Sequence, residues 1–246
     1  MAASTTSLET QTRYEDVLAH LPASKTTEYN KGQMIYGMGN LSTSIYLVRS
    51  GKVGVSYMAE DGTEVLLEIV RPDELFGESA FLNASPRSER AKAIETAQLM
   101  TWAIADIEDL VTKRPRLALA LMQILAQRNA EYTRRIQSFA IDGVERRLAR
   151  ALLRFSERLG TPGKDGSVWM MPLTHDMLAR YVCTSREIVT QYMNRFRKHG
   201  YVTYSRRGIS LYRDTMSKVL DGRGFLSADG NGQGTYALAD DMPATE

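Results

Sequence analysis

The residues best suited to chemistry lie in one short polar stretch, TSREIVTQYMNRFRKHGYV at 184–202. Its apolar side chains recur every three or four positions, which is the repeat of an amphipathic helix. Thr184 and Glu187 fit a capping box with Thr184 as the N-cap, and Gly200 suits the position just after the helix. The opposite face offers guanidinium, carboxylate and amide groups, which hydrogen-bond to base edges in the major groove of DNA.

A shorter helix precedes this segment, and a strand–turn–strand follows it. LTHDMLARYV at 173–182 carries an apolar stripe, and Thr174 can cap it. Two short helices joined by a few residues form a helix-turn-helix, whose second helix enters the major groove. YVTYSRRGISLY at 201–212 alternates like two strands around a basic tip, which is a wing suited to phosphates. The DNA-contacting residues expected from these patterns are Thr174, Arg186, Glu187, Thr190, Gln191, Asn194, Arg206 and Arg207.

Charge is distributed unevenly along the chain. Residues 145–220 hold 15 Lys and Arg against six Asp and Glu, a net charge of +9, whereas the rest carries −7. A basic block beside an acidic one favours a polyanion-binding domain joined to a second domain. A single charged helix face is usually only solvated, and a winged helix can also mediate protein contacts. The capped helix pair, the basic wing and the basic block together favour double-stranded DNA as the partner.

Composition argues against several other classes of protein. Cys183 is the single cysteine among 246 residues, so neither an intramolecular disulfide nor a Cys-ligated iron–sulfur cluster is expected. The three histidines lack metal-ligand spacing, so we expect no metal site and no haem. No nucleophile–base pair or Gly-rich phosphate loop supports an enzyme. Apolar runs fall far short of the ~18 residues of a membrane helix, and no secretory signal is visible, so we expect a cytoplasmic protein.

Short alternating apolar runs between glycine-containing turns fill the N-terminal half. Ser50-Gly51 and Asp61-Gly62 fit hairpin turns, which predicts a compact antiparallel barrel or roll within an α+β fold. The Ser/Thr-rich N-terminus and the Gly-rich, acidic C-terminus are expected to be disordered. The expected division of the chain is a disordered segment 1–12, a β-roll effector domain 13–115, a dimerisation helix 116–140, a winged helix-turn-helix 141–220 and a disordered tail 221–246.

A heptad seam runs along residues 116–140. Its residues are spaced 4-3-4-3-4-3, and a helix of this length needs a partner along much of that stripe. We therefore expect a homodimer, in which Asn129 fixes the register at some cost in stability. The alternative is that the stripe packs on the chain's own β domain. The interface residues expected are Met122, Leu125, Asn129, Tyr132, Ile136 and Phe139.

Taken in order over residues 20–215, these features resemble the cyclic AMP receptor protein/fumarate–nitrate regulator (CRP/FNR) family of bacterial transcription factors. The residues that carry the resemblance are Gly39, SGKVGV at 50–55, Asp61-Gly62, FGE at 76–78, Arg87-Ser88, the heptad helix, TSREIV at 184–189 and the basic wing. The resemblance implies an effector-binding β-roll, a dimerising helix and a winged helix that binds a palindromic operator, with RNA polymerase as a further partner.

The resemblance also implies roles for individual residues of the second helix. Ser185 would contact a phosphate, while Arg186 and Glu187 would read bases, as guanidinium suits guanine and carboxylate suits the cytosine amino group. Gln191 stands where nucleotide-responsive members often carry Arg, and Gln favours adenine. Cys183 replaces the usual glycine of the turn, which must then tolerate a side chain.

A candidate effector site follows from the same resemblance. In nucleotide-responsive members a Gly-Glu pair holds the ribose, an Arg-Ser pair holds the cyclic phosphate, and a hydroxyl of the long helix reaches the base, partly across the dimer. The matching positions here are Gly77, Glu78, Arg87, Ser88 and Thr133.

Three departures from the family's pattern leave the effector open. The gap from Glu78 to Arg87 is one residue short, Glu89 stands where a small residue is usual, and Tyr132 is bulky. A cAMP-like cyclic nucleotide, another small ligand and effector-independent DNA binding all stay possible at this point. So does a direct pairing of Glu78 with Arg87 in place of any ligand.

Overall fold

The computed structural model describes residues 16–82 and 85–221. The predicted disordered segments 1–12 and 221–246 lie outside these ranges, apart from Asp221. The strands are β1 (Thr26–Tyr29), β2 (Met34–Tyr36), β3 (Ser44–Ser50), β4 (Val53–Met58), β5 (Glu64–Val70), β6 (Leu75–Phe76), β7 (Arg90–Ala93), β8 (Ala97–Ala103), β9 (Gly160–Pro162), β10 (Val168–Met170), β11 (Val202–Ser205) and β12 (Gly208–Leu211). The helices are α1 (Ile104–Lys113), α2 (Pro115–Ile141), α3 (Val144–Leu159), α4 (His175–Val182), α5 (Arg186–Lys198) and α6 (Arg213–Leu220), with 3-10 turns at Val17–Ala19 and Glu78–Leu82.

The N-terminal strands form the predicted antiparallel β-roll. Two four-stranded sheets, in the orders β1-β8-β3-β6 and β2-β7-β4-β5, contain its strands. The alternation along β3 and β4 sends Val48 and Val53 into a core shared with Phe76 and Leu99. The predicted turn at Ser50-Gly51 joins the two strands. Gly51 has a φ of +78°, and a Cβ there would lie 2.2 Å from the Thr96 carbonyl oxygen, so only glycine fits.

Two helices follow the roll where the sequence predicted one. The predicted β domain extended to residue 115, but Ile104 begins α1 and Pro115 begins α2. Proline suits the first turn of a helix because its missing N–H would have no partner there. The predicted helix 116–140 lies within α2, whose 27 residues span about 40 Å. The first turns of α2 bury Leu117 and Leu121 against the roll.

The C-terminal unit is a winged helix. Its sheet has the order β11-β12-β10-β9, and α3, α4, α5 and α6 pack around a core that includes Leu152, Met170, Leu178 and Phe196. Two details differ from the sequence interpretation. Residues 160–162 form β9, which pairs with β10, and α6 follows the wing; neither element had been predicted.

Strand β5 joins the roll to the C-terminal unit. Leu66 and Ile69 belong to the same core cluster as the helices α3 to α5. The buried Glu68 carboxylate lies 2.8 Å from the Arg158 guanidinium of α3. From α2, Arg135 donates hydrogen bonds to carbonyl oxygens of β5 and to that of Tyr181 in α4. A single edge of the roll therefore contacts both the long helix and the helix-turn-helix.

Candidate nucleic-acid interface and effector pocket

The predicted helix-turn-helix is formed by α4 and α5. Thr174 caps α4, and its hydroxyl oxygen accepts a hydrogen bond from the Met177 amide at 3.1 Å. The turn between the helices bends at Cys183, whose φ of +54° lies in the left-handed region. A residue with a Cβ costs roughly 1–2 kcal/mol in this conformation, so the turn tolerates the replacement of glycine at some expense. Cys183 is exposed to solvent.

The N-cap of α5 is Ser185, so the prediction of Thr184 was wrong. The Ser185 hydroxyl oxygen accepts from the Ile188 amide at 3.3 Å, and the backbone of Ser185 is extended, as an N-cap requires. Thr and Ser are both good caps, and the S/T-x-x-E pattern alone favoured the earlier residue. Hydrogen bonds from its own amide and from Ser185 lower the pKa of Glu187. Arg186 is therefore the first helical residue, at the end of the helix that enters a groove.

The polar face of α5 is open to solvent. Val189, Met193 and Phe196 are fully buried on the opposite side. The exposed residues among those predicted to contact DNA on this helix are Arg186, Glu187, Gln191 and Asn194, with Ser185 at the cap. This arrangement leaves the predicted base-reading side chains accessible to a duplex.

Thr190 is only half-exposed and links the two helices. Its hydroxyl donates to the Arg186 carbonyl oxygen at 2.8 Å and lies 2.8 Å from Nδ1 of His175 in α4. Since the single hydroxyl proton is used on the carbonyl oxygen, Nδ1 of His175 must donate. Burial and the Arg186 charge lower the pKa of His175, which favours the neutral ring. No role was predicted for His175 from the sequence. Its position next to the capping residue Thr174, at the start of α4, could have indicated one.

The wing is fixed to α5 through an aromatic residue. Arg206 and Arg207 lie exposed in the turn between β11 and β12, as predicted from the pattern. Tyr204 of β11 donates its hydroxyl hydrogen to Oδ1 of Asn194 at 2.9 Å, and the Arg197 guanidinium lies 5.2 Å from the Tyr204 ring centre. The amide group of Asn194 keeps its two N–H donors for another partner. Tyr204 was missed, although an aromatic residue next to a basic tip could have indicated it.

Three of the residues predicted to hold an effector, Glu78, Arg87 and Ser88, are paired with other residues of the same chain. Gly77 adopts a φ of +86°, and Glu78 follows it at the start of the 3-10 turn. Arg87 is only 3% exposed, donates to the Ser44 carbonyl oxygen at 2.7 Å, and lies 3.8 Å above the Tyr36 ring. Within the described residues, Glu78 and Arg87 have different ionic partners, so their predicted direct pairing is not formed.

Glu78 is paired with Arg128 of α2. Arg128 also lies 3.4 Å from Glu68 of β5. Burial opposes the charge of Arg128, but the two carboxylates outweigh it and raise the pKa of the guanidinium. Burial, with the Glu68 and Glu78 carboxylates, raises the pKa of Tyr132 to about 12. Arg128 was not among the site residues predicted from the sequence. Periodicity could have identified it, because Arg128 continues the inward-facing stripe of Leu117, Leu121 and Ile124 at spacings of four, three and four.

Glu89 is the ionic partner of Arg87, with Oε1 3.5 Å from a guanidinium nitrogen. The Ser88 hydroxyl, predicted to hold a phosphate, donates to Oε2 of Glu89 at 3.0 Å. Thr133 is exposed on α2, and it follows Arg128 by five residues, about 140° around the helix. The structure therefore does not bring Thr133 to Glu78 or Arg87 within one protomer.

Little space remains beside Glu78 and Arg128. The cavity bordered by Glu78, Phe76 and Arg128 measures about 20 Å³. A larger cavity of about 460 Å³ lies elsewhere, between the C-terminal half of α2 and the arginine-bearing face of α3. The cavity beside Glu78 is too small for a nucleotide, since small-molecule sites occupy ~300–1,000 Å³.

The predicted heptad seam of α2 is mostly uncovered. Met122, Leu125 and Ile136 are 58%, 40% and 67% exposed, and Asn129 is exposed between them. Tyr132 and Phe139 are half-buried, the latter within 5.4 Å of two guanidinium groups. The alternative that the roll of the same chain covers this stripe is therefore not what the structure shows.

Residues 16–82 and 85–221 contain neither a membrane-spanning helix nor a metal-binding cluster. In that part of the chain, no helix is both long and apolar enough to cross a membrane. The same residues contain no group of three or more His, Cys, Asp or Glu side chains arranged to hold a metal ion.

Comparisons with known proteins match both halves of the chain. A family model described as "Cyclic nucleotide-binding domain" matches residues 26–114, and one described as "Crp-like helix-turn-helix domain" matches residues 146–214. The cyclic AMP receptor protein of Thermus thermophilus is 30% identical over 174 residues, covering 71% of this chain and 77% of the relative. The CRP-like cAMP-activated global transcriptional regulator of Mycobacterium tuberculosis is 26% identical over 71% of this chain and 78% of its own length.

A solved structure gives the same result. A CRP/FNR family transcriptional regulator of Thermus thermophilus superposes with a TM-score of 0.65 at 29% identity, covering 81% of this chain and all of the other. A β-roll joined by a long helix to a winged helix with an exposed polar face defines a DNA-binding transcription regulator. The chain belongs to the CRP/FNR family of transcription regulators.

Proposed function

We propose that this regulator acts as a homodimer that places the α5 helix of each protomer in successive major grooves of a palindromic operator. The exposed apolar seam on α2 is the observation that carries the proposal, with Ile136 at 67% exposure. An apolar stripe of this kind is stabilised when a second copy packs against it. Two-fold symmetry of the protein then requires two-fold symmetry of the DNA site, with half-sites about one helical turn apart.

The residues of the interface divide into base-reading and phosphate-contacting groups. Arg186 reads guanine through two hydrogen bonds, Glu187 accepts from cytosine, and Gln191 pairs with adenine. Asn194 presents its amide donors beside them, and Thr190 positions the helix through His175. The residues assigned to phosphates are Thr174, Ser185, Arg206 and Arg207, which lie at helix N-termini or at the wing tip.

Each of three parts of the chain has its own role in this proposal. Residues 13–115 serve as a regulatory β-roll, 116–140 as the dimerisation helix and 141–220 as the DNA-binding domain. The seam is formed by Met122, Leu125, Asn129, Tyr132, Ile136 and Phe139 of each protomer. The protein works in the cytoplasm, contacts RNA polymerase at promoters and catalyses no reaction.

Control by a small molecule has two candidate forms. The match to a cyclic nucleotide-binding domain favours a nucleotide at Gly77, Glu78, Arg87, Ser88 and, across the dimer, Thr133. The in-chain partners of Glu78 and Arg87 favour DNA binding that requires no cyclic nucleotide, and we adopt this second form. Any ligand of the roll would act by shifting the population of α2 arrangements, which set the spacing of the two α5 helices.

Selection of bound DNA from a random pool tests the proposal. The protein is used at low micromolar concentration, alone and with cAMP or cGMP. We expect one enriched palindrome, with half-sites roughly 10–11 base pairs apart, in all three pools. Enrichment of a single asymmetric half-site would contradict the dimer, and enrichment only in a nucleotide-containing pool would contradict nucleotide-independent binding.

A further inference from the structure

We propose that the carboxylate of Glu89 is a built-in ligand of the β-roll, occupying the anion site that a cyclic phosphate would need. We name this site the Glu89 cradle, and define it as the side chains of Tyr36, Ser79, Arg87 and Ser88. The inference deepens the proposed function, because it names the residue that makes the roll independent of a nucleotide.

Four donors of the Glu89 cradle surround the carboxylate. Ser79 and Ser88 donate their hydroxyl hydrogens to its two oxygens at 2.8 and 3.0 Å. The Tyr36 hydroxyl lies 3.4 Å away and the Arg87 guanidinium 3.5 Å away. A ring of hydroxyl and guanidinium donors is what an oxyanion such as phosphate requires. Here a side chain of the same chain supplies the oxyanion.

Burial makes this pairing necessary for the folded roll. The side chain of Arg87 is 2% exposed and that of Glu89 is 13% exposed. A buried guanidinium needs an anion, because an uncompensated charge in the interior is strongly destabilising. Ser79 reinforces the arrangement, since its hydroxyl oxygen accepts from Arg87 at 2.9 Å while its hydrogen goes to Glu89.

The neighbouring parts of the pocket are also filled. The rings of Tyr36, Tyr46 and Phe76 pack on one another with centre-to-centre distances between 5.1 and 6.1 Å. On the α2 side, Arg128 holds Glu78, and the cavity that remains is about 20 Å³, close to the room one water needs. A nucleotide would have to displace Glu89 from Arg87, displace Arg128 from Glu78 and open the aromatic core.

Removing the carboxylate should turn the Glu89 cradle into a site for an external anion. Glu89→Ala removes the anionic partner of Arg87, which keeps its hydrogen bonds to Ser44 and Ser79, and leaves space where the carboxylate lay. Inorganic phosphate is the probe, since it fits the donors and is small enough for the vacancy. Glu89→Gln fills the same space without charge, so it distinguishes the effect of losing the charge from the effect of losing the side-chain volume. Glu60→Ala removes an exposed carboxylate in the β4–β5 turn and serves as the matched control.

Thermal unfolding of the full chain is measured in phosphate and in chloride at equal ionic strength. We expect Glu89→Ala to lower Tm in chloride, and phosphate at ten times its Kd to raise that Tm by roughly 3–5 °C. Wild type, Glu89→Gln and Glu60→Ala should show no phosphate-specific rise. An unchanged Tm for Glu89→Ala, or the same response to both salts, would overturn the proposal.

A second measurement does not depend on how the variants fold. Calorimetric titration of wild type with cAMP and with cGMP should show no binding up to millimolar concentration. Binding of either nucleotide at micromolar Kd would refute the built-in ligand. Wild-type affinity for the selected operator, measured without nucleotide, reports on the proposed function separately, so the failure of one can be told from the failure of the other.

Discussion

Arg186 and Arg206 are both exposed cations of the winged helix, and the proposed function assigns them to different parts of a duplex. Arg186 begins α5, and Arg206 lies at the wing tip. We expect Arg186→Ala to cost ~1–3 kcal/mol on the selected operator and to relax selectivity at one position of each half-site. Arg206→Ala should weaken all sequences alike and lower the salt dependence.

Fluorescence anisotropy with operator and scrambled duplexes, over a series of salt concentrations, distinguishes the two roles. Lys113→Ala, an exposed cation at the end of α1, is the control. If Arg186→Ala bound the operator as tightly and selectively as wild type, the base-reading assignment would be wrong. A sequence-selective effect of Arg206→Ala would count against its phosphate role.

His175 should make the stability of the DNA-binding unit depend on pH. Burial and Arg186 lower its pKa from 6.5 in the folded state. Below that value the unfolded chain binds the proton more readily, so the stabilisation is present above pH 6.5 and is lost as pH falls through the folded pKa. We expect His175→Asn, which keeps a donor toward Thr190, to flatten this part of the pH profile. Urea unfolding between pH 5 and 8 measures it, with His20→Asn as control; identical profiles for wild type and His175→Asn would exclude the effect.

At the scale of residues, the exposed face of a helix was predictable from the sequence, but the partners of buried charges were not. The polar face of α5 follows from periodicity, because burial of Val189 and Phe196 orients the helix. The ionic partners of buried charges cannot be predicted from periodicity, because Arg87 and Glu78 could each pair with several opposite charges that are distant in sequence. Glu89 is an unusual acid beside the predicted phosphate site, but its pairing with Arg87 depends on how the chain packs just before β7.

At the scale of elements, the start of α5 offers a direct comparison of two adjacent residues. Ser185 caps the helix, whereas the capping-box pattern alone favoured Thr184. We expect Ser185→Ala to lower the free energy of unfolding by about 1 kcal/mol, because the Ile188 amide loses its acceptor. Thr184→Ala should change it by much less. Urea denaturation of the two variants decides between them, and a larger loss for Thr184→Ala would overturn the cap assignment.

The proposed dimer depends on the seam of α2. We expect Ile136→Lys to abolish the dimer, because it buries a charge in an apolar interface. Gln127→Lys adds the same charge at an exposed position about 180° around the helix and should leave the dimer intact. Sedimentation equilibrium at low micromolar concentration measures both. A persistent Ile136→Lys dimer would remove the seam from the interface.

Elements were predictable to different degrees for physical reasons. The long helix and the helix pair carry strong periodic patterns with caps. The break before Pro115 was missed because α1 continues directly from β8, without a turn signal between them. Helix α6 is short and its apolar residues, such as Met216, are buried only by contact with the rest of the winged helix. Such elements depend on tertiary packing more than on their own sequence.

At the scale of the whole molecule, β5 connects the roll to the long helix and to the winged helix. The Glu68 carboxylate contacts Arg128 of α2 and Arg158 of α3, and Glu64 contacts Arg180 of α4. In the proposed function, changes at the roll would reach the helix-turn-helix through β5 and α2. None of these contacts was visible in the sequence, because each joins acids and arginines that are far apart in the chain.

A symmetric dimer that places its two α5 helices in successive major grooves requires a fixed spacing between the half-sites. Changing that spacing is the most direct test. Five base pairs inserted at the centre of the selected palindrome turn one half-site to the opposite face of the duplex. We expect wild type without nucleotide to lose affinity by roughly 100-fold on this DNA, because only one α5 can then make specific contacts. The same insertion outside the palindrome should have no effect. Equal affinity for the central-insertion and the original operator would contradict the symmetric dimer.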